Sequence, residues 1–167
     1  MDGLIVLCCG AGGHTGTLNP FAFLPQIREF YSGLIALAGG IGTGRGIKAA
    51  QVLGADMAYV GTRFIATRES AASAAYKEML VSHGSKDIVL TDAISGLPAN
   101  YLRGSLDAVG LDPGNLPPPI GLFQPNLPAH IKAWRDVWSA GHGAGLIADV
   151  PTVGELVSRM RAEYDAA

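Results

Sequence analysis

Apolar and polar positions over the first 84 residues repeat one unit three times: a short apolar run, a glycine turn, then a helical pattern. Leu4 to Cys9 is continuously apolar and leads through glycines into 20–31, where Asn19 suits an N-cap, Pro20 the first helical position, and Leu24 and Ile27 share a face. Leu34 to Ala38 leads through Gly39–Gly46 into 47–53, which Gly54 stops. Met57 to Val60 leads through Gly61-Thr62-Arg63 into a helix predicted at about 70–83, closed by Gly84. Apolar strands alternating with helices predict the α/β class, with a parallel sheet covered on both faces. Each glycine cluster then lies at the C-terminal end of its strand, where such folds place ligands.

The pattern changes after Gly84. Residues 87–94 read as a strand or a buried connector, and 95–111 fit no single period. The stretch 112–128 holds six of the ten prolines and predicts an extended excursion across the surface. A helix is predicted at 129–139, with Ile131, Trp134 and Trp138 on one buried side. A second is predicted at 152–163, opened by the capping box Thr152–Glu155 and burying Val153, Leu156, Val157, Met160 and Tyr164. The chain therefore divides into 1–84, an irregular Pro-rich excursion at 85–128, and C-terminal helices at 129–167.

Composition narrows the function. With 49% apolar and 16% charged residues among 167, one domain has ample core material. Twelve basic against fourteen acidic residues, without a like-charged run, exclude a nucleic-acid backbone or an anionic membrane as partner and leave small molecules or protein surfaces. Cys8 and Cys9 are adjacent, point to opposite faces of a strand and are poorly placed to bridge, which suits a reducing, cytoplasmic location. The first residues carry an acid rather than the basic start of a signal peptide, and no apolar run reaches about 18 residues.

Candidate chemistry centres on the turns. "GAGGHTGT" (Gly10–Thr17) sets His14 among glycines; it is either a hydrogen-bonded loop histidine or a proton-moving base, since imidazole titrates near neutrality. "GGIGTGRG" (Gly39–Gly46) precedes a helix whose N–H groups suit phosphate, or it is merely a tight loop; it matches neither GxGxxG nor a Walker A sequence. Arg63 and Arg68 neutralise a phosphate or pair with acids such as Glu69. His83 and His130 read as surface helix residues, and His142 lies in another glycine-rich turn. No spacing suggests a metal site, and no serine sits in a nucleophile elbow.

Four motifs in order, "AGGHTG" (11–16), "IALAGGIGTGRG" (35–46), "LGADMAYVGTRFIATRES" (53–70) and "WSAGHGAGLI" (138–147), together resemble the nitronate monooxygenase family, formerly 2-nitropropane dioxygenases. The resemblance implies an FMN-dependent (β/α)₈ TIM barrel with an added helical segment, oxidising nitronates and nitroalkanes with O₂. It makes His14 the catalytic base and gives Gly12 and Gly13 flavin contacts. Gly39, Gly40, Gly61 and Thr62 fall at the phosphate site and Ser139 on the substrate side, with no metal. Under it, residues 1–84 are the last three β/α units, an incomplete barrel. The chain is then expected to be a fragment, a non-catalytic remnant, or an association half completed by a chain supplying the N-terminal half-barrel or by a homo-oligomer. An FMN-dependent enoyl-acyl-carrier-protein reductase, which would consume NAD(P)H, shares the histidine and glycine motifs.

Overall fold

The computed structural model describes residues 2–167. Its elements run β1 (Gly3–Leu7), β2 (Gly13–His14), α1 (Pro20–Phe30), β3 (Leu34–Ala38), α2 (Gly44–Val52), β4 (Met57–Tyr59), α3 (Thr62–Ile65), α4 (Ala74–Ser82), β5 (Ile88–Thr91), β6 (Ala99–Leu102), α5 (Arg103–Ala108) and α6 (Val153–Asp165), with 3₁₀ turns at Ser85–Asp87 and His142–Leu146.

The three apolar runs form a parallel sheet in the order β1-β3-β4. Its register aligns Val6 with Leu37 and Leu37 with Ala58 in one row, and Leu7 with Ala38 and Ala38 with Tyr59 in the next. Val6, Cys8, Ile35 and Leu37 pack with Leu24 of α1 and Ala50 of α2 in one buried cluster. Each large aliphatic side chain so buried contributes about 1.5–3 kcal/mol. Both crossover helices therefore lie on the same side. The expectation of two covered faces is corrected: Ile5, Leu7, Met57 and Tyr59 on the opposite face are exposed. A sheet wound with its helices on one side only is the arrangement of a β/α barrel wall, not of a doubly wound sheet.

Local chemistry fixes the helix starts. Asn19 accepts from the Phe21 amide at 2.9 Å with Pro20 in the first turn, and Thr43 caps α2 through Gly46. Thr152 and Glu155 form the expected reciprocal box on α6. Leu156 and Met160 of α6 are buried, whereas Val157 is exposed, so the buried stripe is narrower than predicted. The helix expected at 70–83 is shorter, α4, and is preceded by the single turn α3.

A second sheet, β2-β6-β5, is antiparallel; β5 falls within 87–94, read as a strand or a buried connector, and β6 within 95–111, which fits no single period. There β5 and β6 form a hairpin followed by α5, and 112–128 contains no helix or strand, only turns and the bridge between Gly121 and Gln124. The helix expected at 129–139 is absent. Trp134 adopts φ 68°, outside any right-handed helix, and the Asp136 carboxylate accepts from the Lys132 amide at 2.8 Å and pairs with Arg135, which closes a turn instead. His130 lies in that irregular stretch, and His83 caps the C-terminal end of α4. Among the described residues no helix is long and apolar enough to cross a membrane, and no group of three or more His, Cys, Asp or Glu could hold a metal.

Candidate functional site

The C-terminal tips of β1, β3 and β4 surround a cleft of about 160 Å³ lined by Gly10 to Gly12, Gly39 to Ile41, Gly61, Thr62, Ser139 and Gly141. One carbonyl ties the turns together: Gly10 O accepts from the Gly40 amide at 3.1 Å and from the His142 amide at 3.0 Å. Gly39 and Gly40 have φ of 136° and 69°, which only glycine adopts readily. Gly12 is glycine for space, because a Cβ there would lie 2.7 Å from the Gly141 nitrogen and 2.9 Å from the Thr62 hydroxyl. That hydroxyl accepts from Gly141 N at 2.9 Å and locks the third turn to the Ser139 loop.

Gly61 differs. Its φ is −105°, which any residue can adopt, and a Cβ would meet nothing within 4 Å. Glycine therefore answers no need of the fold at this position; it leaves the cleft open. Gly61 and Thr62 stand where α3 begins, and the first N–H groups of a helix lack intrahelical acceptors.

The start of α2 is arranged otherwise. Gly44 N donates to the Glu163 carboxylate at 2.7 Å and Gly46 N to Thr43, so protein groups cap the helix that the sequence offered to a phosphate. Of "GGIGTGRG", it is the opening Gly39-Gly40 pair, continued by Ile41, that lines the cleft. Arg63 also turns away from it. Only 3% exposed, Arg63 pairs with Asp149 at 2.6 Å rather than with Glu69, whose carboxylate accepts from the Val153 amide. Burial pushes the Arg63 guanidinium down, against the pull of Asp149.

His14 lies two residues beyond Gly12 on β2, which pairs with β6 through Gly13–Asn100 and His14–Ala99. Its Nε2 is 3.2 Å from the Ser95 hydroxyl, and its exposed ring stands nearly perpendicular to that of Trp134, with the ring centres 5.2 Å apart. Gly13 is glycine for its backbone, at φ 72°, rather than for space: a Cβ there would make only ordinary contact with Trp134 at 3.5 Å and Ser139 Oγ at 3.8 Å. Ser139 in turn bridges Tyr101 of β6, and the Tyr76 hydroxyl donates to its carbonyl. The structure thus gathers Gly12, Gly39, Gly40, Gly61, Thr62 and Ser139 on one cleft and sets Gly13 and His14 beside it.

Sequence reasoning missed several neighbours. Buried Asn100 donates to Ala11 O at 2.7 Å and fixes the first turn from below. All four residues of β6 are buried, so no alternation marks that strand. Tyr101 has a buried hydroxyl without a hydrogen-bond partner among the described residues; burial pushes it up to about 12, opposed by the nearby Ser95 hydroxyl. Trp134, expected in the core, is half-exposed against His14. Under the first turn, burial and the adjoining Cys9 push the Cys8 thiol up to about 11, so it stays protonated and unreactive near neutral pH.

A one-sided parallel β/α sheet with a glycine-lined cleft at its strand tips defines a mixed α/β fold of the barrel type. The chain belongs to the nitronate monooxygenase family, whose family model matches residues 1–110. It is 32% identical to the nitronate monooxygenase of Paraburkholderia phytofirmans over 98% of this chain and 49% of that protein. Among solved structures, a nitroalkane oxidase from Streptomyces ansochromogenes superposes with a TM-score of 0.75 at 27% identity, covering 99% of this chain and 52% of that one. FabK from Thermotoga maritima superposes with a TM-score of 0.74 at 28% identity, covering 99% of this chain and 55% of that one. The chain spans about half the length of these relatives.

Proposed function

We propose that the cleft holds the phosphate of FMN and that the protein oxidises nitroalkanes and their nitronates with O₂. The observation that carries this reading is the convergence of Gly40, Gly61 and Thr62 on one cleft, with Gly61 left bare where the fold itself would accept a side chain. A phosphate there meets backbone N–H groups at the start of α3, between the loops that follow two successive strands, a recurrent anion site in β/α barrels. At about 160 Å³ the cleft fits the phosphate end rather than a whole nucleotide, since pockets for complete ligands run to about 300–1,000 Å³.

FMN, when bound, supplies the electron acceptor that O₂ restores. The protein's own residues do the rest. Gly12, Gly39 and Gly40 let backbone approach the cofactor closely, and Gly61 with Thr62 holds its phosphate. His14 takes the proton from the carbon next to the nitro group, and Ser139 faces the substrate from the adjoining loop.

The test is the flavin spectrum of the purified chain after FMN titration, followed by oxygen uptake with a nitronate. Saturable binding and oxygen consumption are expected. Protein that stays colourless at high FMN overturns the cofactor reading, and NADH consumption with an enoyl thioester but no nitronate oxidation replaces the activity with enoyl reduction.

A further inference from the structure

We infer that Ser95 is the positioning residue of His14, holding the imidazole in the Nε2–H tautomer and leaving Nδ1 as the basic nitrogen. A serine hydroxyl has one proton to donate and two lone pairs to accept with. Ser95 Oγ donates to the Leu97 carbonyl at 3.1 Å, so toward His14 Nε2, 3.2 Å away, it acts as an acceptor. Nε2 must then carry the hydrogen, and the lone pair of the neutral ring lies on Nδ1.

The turn that carries Ser95 is fixed from two sides. Gly96 has φ 77° and donates to Asp92 O at 2.7 Å; a Cβ on it would lie 2.5 Å from the Gln124 nitrogen and 2.6 Å from that of Phe123. The Pro-rich excursion therefore packs directly on this turn. From the other side, Thr15 N donates to Pro98 O at 3.2 Å and His14 pairs with Ala99, so the two backbones share a register. Reversing the Ser95 hydroxyl would give up the Leu97 bond. Flipping the ring would put a C–H against Ser95 Oγ.

The catalytic part of the role rests on the reading of His14 as base, whereas the tautomer does not. On that reading the substrate Cα–H bond breaks, its electron pair remains in the nitronate, and the proton forms an N–H bond at Nδ1. The resulting imidazolium keeps its Nε2–H on Ser95.

The experiment is ¹⁵N NMR of the imidazole rings in the labelled full chain, with the His14 signals identified by their loss in His14→Gln. In the neutral ring, Nε2 is expected to carry the proton in the wild type and in Ser95→Thr, which keeps the hydroxyl. Ser95→Ala is expected to shift the ring toward a mixture with the other tautomer and to lower kcat on a nitroalkane by on the order of tenfold, with KM little changed. A wild-type ring protonated on Nδ1, or identical tautomers in wild type and folded Ser95→Ala, overturns the inference. The wild-type spectrum alone decides the tautomer if Ser95→Ala does not fold. A chain that binds no flavin but shows Nε2–H refutes the cofactor site and leaves the positioning intact; flavin binding with Nδ1–H does the reverse.

Discussion

Gly61 and Gly12 border the same cleft, yet alanine should act on them in opposite ways. Gly61→Ala puts a methyl where nothing lies within 4 Å, so stability should stay within about 0.5 kcal/mol in a thermal melt, while FMN affinity falls by on the order of tenfold in a flavin titration. Gly12→Ala drives its Cβ to 2.7 Å from the Gly141 nitrogen and should cost about 1–3 kcal/mol before any ligand is added. The proposed role of His14 carries its own control. His14→Gln should lower turnover of a neutral nitroalkane by about 10²–10⁴-fold and leave oxidation of the preformed nitronate, which has no proton to lose, far less affected. The glycines were legible in the sequence because a turn after an apolar run is a local event. Which glycine serves the backbone and which clears space was not, since that depends on atoms from other loops.

Among the elements, α6 shows how a distant helix completes a local feature. A Cβ on Gly44 would lie 1.9 Å from Met160 O, so glycine lets the two helices touch, and the Glu163 carboxylate then occupies the start of α2. Glu163→Ala should destabilise the fold by about 0.5–2 kcal/mol in a urea titration with unchanged slope, and Glu163→Gln by less, because it keeps an acceptor oxygen. The caps at Asn19 and Thr152 could be read from the chain, since each acts within three residues, whereas Thr43, four residues ahead of the helix start expected at 47, emerges only with α2 itself. The strands β2 and β6 could not. Gly13–His14 is too short to show a period, and β6 is buried on both faces, so only their pairing reveals them. The absent helix at 129–139 has the same origin: its apolar spacing is helical, but the Asp136–Lys132 turn and the backbone at Trp134 prevail.

For the whole molecule, two consequences follow from its surface. The carboxyl groups of Asp56, Asp136, Asp149 and Glu155 are held below their ordinary range: Asp56 first by the Ile35 amide and then by Arg28, Asp136 at about 2 by Arg135, Asp149 by Arg159 and Glu155 by Thr152. Groups with depressed values stabilise the fold fully above the unfolded value near 4 and lose that contribution as pH falls through the folded one. Far-UV circular dichroism should therefore show no loss from these groups at neutral pH and progressive destabilisation below about 4, continuing toward about 2, modest because the groups are exposed. The second consequence concerns the open sheet face, where Ile5, Leu7, Met57 and Tyr59 are 60%, 42%, 51% and 56% exposed between two unpaired edges, β1 and β4. Such a face should make the chain self-associate with rising concentration in sedimentation velocity, and Ile5→Lys with Met57→Lys should reduce this without changing the secondary structure. A strictly monomeric wild type at high concentration would contradict it.

The sequence by itself determined the strand–glycine–helix units, the caps at Asn19 and Thr152 and the candidate residues in the turns after the strands. Each of these follows from interactions between residues a few positions apart. Only the tertiary structure decided that both crossovers lie on one side of the sheet, that β6 draws His14 and Ser139 together, and that Ser95 and Trp134 flank the imidazole. The surroundings of His14 depend on contacts between segments some 80 to 120 residues apart, and even the sheet pairs strands some 20 to 30 residues apart, so no local period records which distant segment will arrive.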